Sequence, residues 1–191
     1  MTSRARLEFA VLLAHLLALC LVLGAPLFFG AVVAPASFRV LPTRDLAAAL
    51  ASPIVTRLCW LMQGGFAVLL LTCWLLSRRW NAPRGLRALV TRAPVLGVIG
   101  AVVIEKLLIP PIDRIRAEAP GLLDNLPAAD PGRLLLQKYH RLATGFFAVE
   151  IAAAALLLLL TARLLLLRRA APGPPAAARP PAPKVLDLDG V

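Results

Sequence analysis

The chain has 191 residues, 60% of them hydrophobic and 16% charged, with a formal net charge of +11. A soluble domain of this size has no interior large enough to hide so much apolar surface, so lipid must cover it. The excess Lys and Arg sit at the ends of apolar runs and between them rather than on a hydrophilic face, which excludes nucleic-acid binding and assigns the charge to topology and lipid headgroups.

The first apolar run, about residues 9–33, follows Thr2-Ser-Arg-Ala-Arg6 and imitates a secretory signal. Glu8 at its head, its length, and the proline inside the Ala34-Pro35-Ala36 that follows argue for a retained span. Pro26 predicts a kink, with Gly24 and Gly30 beside it to absorb the bend. Ala10, Ala14 and Ala18 form a small-residue face suited to a neighbouring helix. Thr43 as N-cap and Asp45 in the first turn predict a short interfacial helix over Leu46 to Leu50.

The second span, about 55–76, contains Gln63-Gly64-Gly65. A short connection follows in which five arginines fall within fifteen residues (Arg78, Arg79, Arg84, Arg87 and Arg92), with Trp74 and Trp80 flanking its start as interfacial aromatics. The third span, about 93–112, carries Glu105-Lys106 and a second small-residue face, Ala93, Gly97 and Ala101. The mixed, acidic stretch from Asp113 to about Arg133, with Asp124 and Asp130, is expected to hold one short helix. The fourth span, about 134–167, contains Glu150. Pro, Ala and Gly dominate beyond it, so residues 1–169 read as the membrane domain and 170–191 as a disordered tail. Short loops dominate the positive-inside rule, and the arginine-rich connection therefore predicts cytoplasmic N- and C-termini in a bacterial inner (plasma) membrane.

Gly24-Ala-Pro-Leu-Phe-Phe-Gly-Ala-Val-Val-Ala-Pro-Ala-Ser-Phe38 resembles the first span of the domain-of-unknown-function family that includes transmembrane protein 205. Ile109-Pro-Pro-Ile-Asp-Arg-Ile-Arg116 is similar to that family's exit from the third span, and Lys138-Tyr-His140-Arg-Leu to its approach to the fourth. The resemblance covers roughly residues 7 to 165 and implies four spans without a settled activity. The family tends to follow its His with Ser and then Asn, whereas Ala143 and Phe147 stand near those places here.

Ionisable groups inside a bilayer need a partner or a water-filled cavity. At ~1.5 Å of rise per residue, Gln63, Glu105 and Glu150 each lie roughly 18–20 Å from the cytoplasmic end, on three different helices. With Lys106 they predict one polar layer in the outer half of the bundle. That layer is either a site for a cation, a proton or a polar ligand, or a Lys106–Glu150 or Lys106–Glu105 pair that locks helices together. By the same rise His15 lies ~9 Å from the cytoplasmic end and His140 at the outer edge, too far apart for two axial ligands of one haem. Cys20, Cys59 and Cys73 read as small buried hydrophobes. No cofactor or metal is predicted. The chain has no GxSxG, HExxH or phosphate-cradling glycine loop, and no enzyme is predicted either.

The sequence thus describes an all-α bundle of four transmembrane helices, with membrane lipids and a second copy of itself as expected partners. Its expected role is permeation of a small solute or ion through the polar layer. The alternative is a non-transporting accessory subunit whose buried charges are structural.

Overall fold

The structure, a computed structural model, describes residues 2–79, 83–118, 127 and 129–170, with side chains as far as residue 166. The predicted tail, Trp80 and Asp124 lie outside the described residues. Among the described residues, four helices are long and apolar enough to cross a membrane: Ser3–Val40, Arg44–Arg79, Arg84–Glu118 and Pro131–Leu166. Each has at least 35 residues, or roughly 50 Å at helical rise, against about 30 Å of hydrocarbon. The ends therefore project from the lipid, and they carry most of the arginines.

The first span is α1 (Ser3–Phe28), a π-helical turn (Phe29–Val33) and α2 (Ala34–Val40). Helix α3 (Arg44–Arg79) follows. The third span is α4 (Arg84–Val103), a second π-helical turn (Ile104–Leu108) and α5 (Ile109–Glu118). Helix α6 (Pro131–Ala170) completes the bundle. The main contacts join α1 to α3, α3 to α4, α4 to α6 and α6 back to α1, a closed antiparallel ring. Its central core includes Val22, Met62, Phe66, Leu69, Ala154 and Leu157. A second cluster, Cys59, Ile104, Leu108 and Ile109, lies toward the end opposite the arginine-rich connection. Leu17, Leu96, Leu107 and Leu159 are all more than 60% exposed on the outside, as lipid-facing leucines should be.

The helices are longer than the sequence implied, because prolines interrupt them less. Pro26 lies within α1, and the irregularity comes one turn later as the π turn, where the Ala34 N–H reaches back to the Phe29 carbonyl. The second π turn ends with the Ile109 N–H on the Ile104 carbonyl, immediately before Pro110-Pro111. Both π turns thus lead directly into prolines that lack an N–H, and the widened turn carries the helix past them. No separate interfacial helix precedes the second span. Thr43 does accept the Leu46 N–H at 3.2 Å, but the helix it caps is α3 itself, which runs on through Pro53. Neighbouring elements and serine or threonine hydroxyls make proline tolerable there. Helix α6 begins with Pro131 in its first turn, and Asp130 caps it by accepting the Arg133 N–H at 3.0 Å.

Of the two small-residue faces, that of α4 is packed throughout: Ala93, Gly97 and Ala101 are all buried. A Cβ on Gly97 would fall 2.5 Å from the Phe66 ring, so only glycine lets α4 approach α3 this closely. The face on α1 is packed only at Ala18; Ala14 is half-buried and Ala10 exposed.

Candidate functional site

The π turn at Ile104–Leu108 sets the first polar centre. Glu105 points inward with only 6% of its side chain exposed, while the neighbouring Lys106 is 67% exposed. The Trp60 indole N–H donates to Glu105 Oε1 at 2.8 Å and the Gln63 amide donates to Oε2 at 2.7 Å. Lys106 Nζ closes the set at 2.6 Å from Oε1. The carboxylate is held by one donor from its own helix and by two from sites one turn apart on α3. Trp60 was not foreseen; its signal was its place three residues before Gln63, on the same face of α3.

Glu150, on α6, is different. It is 1% exposed, and neither carboxylate oxygen has a hydrogen-bond partner. It packs on Gly100, where an added Cβ would lie 2.8 Å from Oε1 and 3.3 Å from Cγ. The expected layer therefore divides. Gln63, Glu105 and Lys106 meet, and Lys106 pairs with Glu105 rather than Glu150. Depth along the helices placed the four residues at one level, but it could not say which way each one faced.

A third centre lies toward the arginine-rich end and was missed. His15 is 1% exposed, with Nδ1 at 2.8 Å from Thr72 Oγ1 and Nε2 at 2.9 Å from Thr161 Oγ1. One imidazole thus joins α1, α3 and α6. Each threonine hydroxyl also reaches a carbonyl one turn back, Val68 at 2.8 Å and Leu157 at 2.8 Å. A neutral imidazole has one N–H and one lone pair, so it donates to one threonine and accepts from the other, whose proton then leaves its helix carbonyl. The sequence signal was three lone polar residues toward the same end of three apolar helices. Cys59 and Cys73 are buried as expected, whereas Cys20 is exposed on the outside of α1. Among the described residues no three of His, Cys, Asp and Glu converge as a metal cage.

The family described as Domain of unknown function (DUF4149) matches residues 17–120, more than half of the chain. The chain belongs to the DUF4149 family. No curated protein and no solved structure matches it. The DUF4149 region holds the Glu105 centre whole, with Trp60, Gln63, Glu105 and Lys106, together with Gly100 and Thr72. Glu150 and Thr161 come from α6, beyond the matched region, and His15 stands just before it. Both the unpartnered carboxylate and the three-helix clamp therefore combine residues inside and outside the DUF4149 match.

Proposed function

We propose that this DUF4149 protein is a non-enzymatic membrane bundle that takes up a proton or a small monovalent cation at Glu150 and passes it across part of the bilayer. The reading is carried by one observation: Glu150 is buried without a hydrogen-bond partner, whereas Glu105 is held by three donors. An unpaired buried carboxylate costs several kcal/mol, so a positive companion is required. Gly100 stands directly against that carboxyl. The arginine-rich connection supports a bacterial inner-membrane setting with both termini cytoplasmic. The likeness of the Gly24 to Phe38 segment supports a tie to the family that includes transmembrane protein 205.

Proteoliposomes with an imposed proton or potassium gradient test the proposal. The protein should dissipate one of these gradients, and Glu150→Gln should abolish that flux while Lys106→Met leaves most of it. An unchanged flux in Glu150→Gln, or no flux above empty vesicles, would overturn the reading. The accessory-subunit reading is favoured by the Trp60–Gln63–Lys106 set around Glu105, which already pairs and hydrogen-bonds that carboxylate within the bundle.

A further inference from the structure

At the arginine-rich end, a groove of about 690 Å³ runs along the outer seam between α3 and α4. Ala67, Leu71, Trp74 and Arg78 line it from α3, and Arg84 and Ala88 from α4. The α3 residues follow one another at spacings of four, three and four, so they form one stripe along that helix. Leu71 is 58% exposed and Trp74 44%, which turns the stripe toward lipid and away from the core. From Ala67 to Arg78 the stripe rises ~16 Å. One leaflet of a bilayer holds ~15 Å of hydrocarbon, half of its full thickness. The groove therefore has the depth of an acyl chain.

Polarity is sorted along its length. The hydroxyl of Thr91, on the α4 wall, is already committed to the Arg87 carbonyl at 2.9 Å and the Ala88 carbonyl at 3.2 Å. The charges gather at the mouth. There the Arg78 guanidinium lies over the Trp74 ring, 4.3 Å from its centroid. Stacking occupies the face of the guanidinium and leaves its in-plane N–H donors for an acceptor. Arg84 stands on the opposite wall as the first residue of α4. Neither Arg78 nor Arg84 forms an ion pair among the described residues. Arg87 also lines the groove but has an interaction of its own, so the charge balance is drawn without it. No Asp or Glu lines the groove. Among the described residues the carboxylate toward this end is Glu8, which sits on α1 outside the groove and likewise has an interaction of its own. Two guanidiniums thus face each other across the mouth with no carboxylate between them.

We infer that this groove holds an anionic phospholipid of the leaflet at the arginine-rich end, its phosphate between Arg78 and Arg84 and one acyl chain along Ala67, Leu71 and Ala88. Guanidiniums bind phosphate oxygens through paired, charge-assisted N–H donors, which gives the headgroup a defined seat rather than a diffuse attraction. A zwitterionic lipid brings the same phosphate and chain, but its ammonium adds a like charge beside the two guanidiniums and makes it the weaker ligand. A soluble phosphate has no chain to lay along the apolar length of the groove.

Native mass spectrometry of the full chain, released from nanodiscs of equal phosphatidylglycerol and phosphatidylcholine, tests this. The wild type should retain one phosphatidylglycerol in preference to phosphatidylcholine. Arg78→Gln and Arg84→Gln should each lower that retention about fivefold, the effect of one basic residue at a membrane surface. Arg79→Gln and Arg92→Gln remove the same charge near the same end but outside the groove, and should retain the lipid as the wild type does. Ala67→Phe keeps every charge and changes an exposed residue, yet should fill the groove and lower retention severalfold with the helical circular dichroism unchanged. Equal losses in all four arginine variants would reduce the effect to general surface charge and overturn the inference. Undiminished retention in Ala67→Phe would overturn it as well, because the chain would then lie elsewhere. Displacement of the lipid by millimolar glycerol phosphate would assign the mouth to a soluble phosphate and refute the lipid.

Discussion

Gly100 on α4 supports the Glu150 carboxyl on α6 so closely that a single methyl group between them would lie 2.8 Å from Oε1. The most buried charge-bearing group of the fourth helix thus rests on a position where the third has no side chain. Gly97, one turn earlier, has the same relation to the Phe66 ring at 2.5 Å. These two contacts let α4 sit against both neighbours, and they fail differently when filled.

Gly97→Ala should be the costlier substitution. Three atoms of a fully buried ring stand in the way, and overpacking of that kind typically costs about 1–3 kcal/mol. Gly100→Ala meets the end of a flexible side chain, so Glu150 can turn and the loss should be smaller. Gly64→Ala, with nothing within 4 Å, should be neutral or gain up to about 1 kcal/mol from helix propensity. Thermal unfolding of the three variants in one detergent checks the order, and equal losses at positions 97 and 64 would contradict it.

The His15 clamp should show as coupling between helices distant in sequence. Interhelical hydrogen bonds in membranes average about 0.6 kcal/mol and reach about 1.7. A double-mutant cycle of His15→Leu with Thr161→Val should return a coupling within that range, and His15→Leu with Thr72→Val a similar one. His15→Leu with Thr144→Val is the control: Thr144 bonds only the His140 carbonyl, and no coupling is expected. A cycle energy near zero for both real pairs would show that the imidazole does not bridge them.

Lys106 should couple to Glu105 and not to Glu150. Lys106→Met and Glu105→Gln remove the two ends of one 2.6 Å pair, so their losses should be markedly less than additive. Lys106→Met and Glu150→Gln should add to within about 0.5 kcal/mol, as for residues without shared partners. The opposite pattern in chemical unfolding would mean that Lys106 turns inward.

Topology is checked with reporter fusions. Fusions at Arg84 and after Arg169 should report cytoplasm, and fusions at Arg44 and Asp130 the opposite side. An outside signal at Arg84 would reverse the orientation, since the arginine-rich connection is its main support.

The four spans, the location of the arginines and the depth of the polar residues were legible in the sequence. Each depends on a one-dimensional quantity, either the free energy of placing a residue in lipid or the rise per residue along a helix. That is why Gln63 and Glu105 could be placed at one level, and indeed they meet. Direction around the helix was not legible. Two π turns change the angle at which everything beyond them faces, and the second holds Glu105 and Lys106. It sends one inward and the other out, and so separates Lys106 from Glu150. Nor could the sequence show that His15, Thr72 and Thr161 form one centre, because their separations of 57 and 146 residues carry no local pattern. Helix ends were underestimated for a related reason. Proline and threonine signal a boundary locally, but α3 continues through Pro53 because its neighbours stabilise the turn that proline weakens. Tertiary packing therefore decided which polar groups are paired, which carboxylate is left alone, and where the cavities open. Those outcomes depend on how helices face one another, and no residue taken singly encodes that.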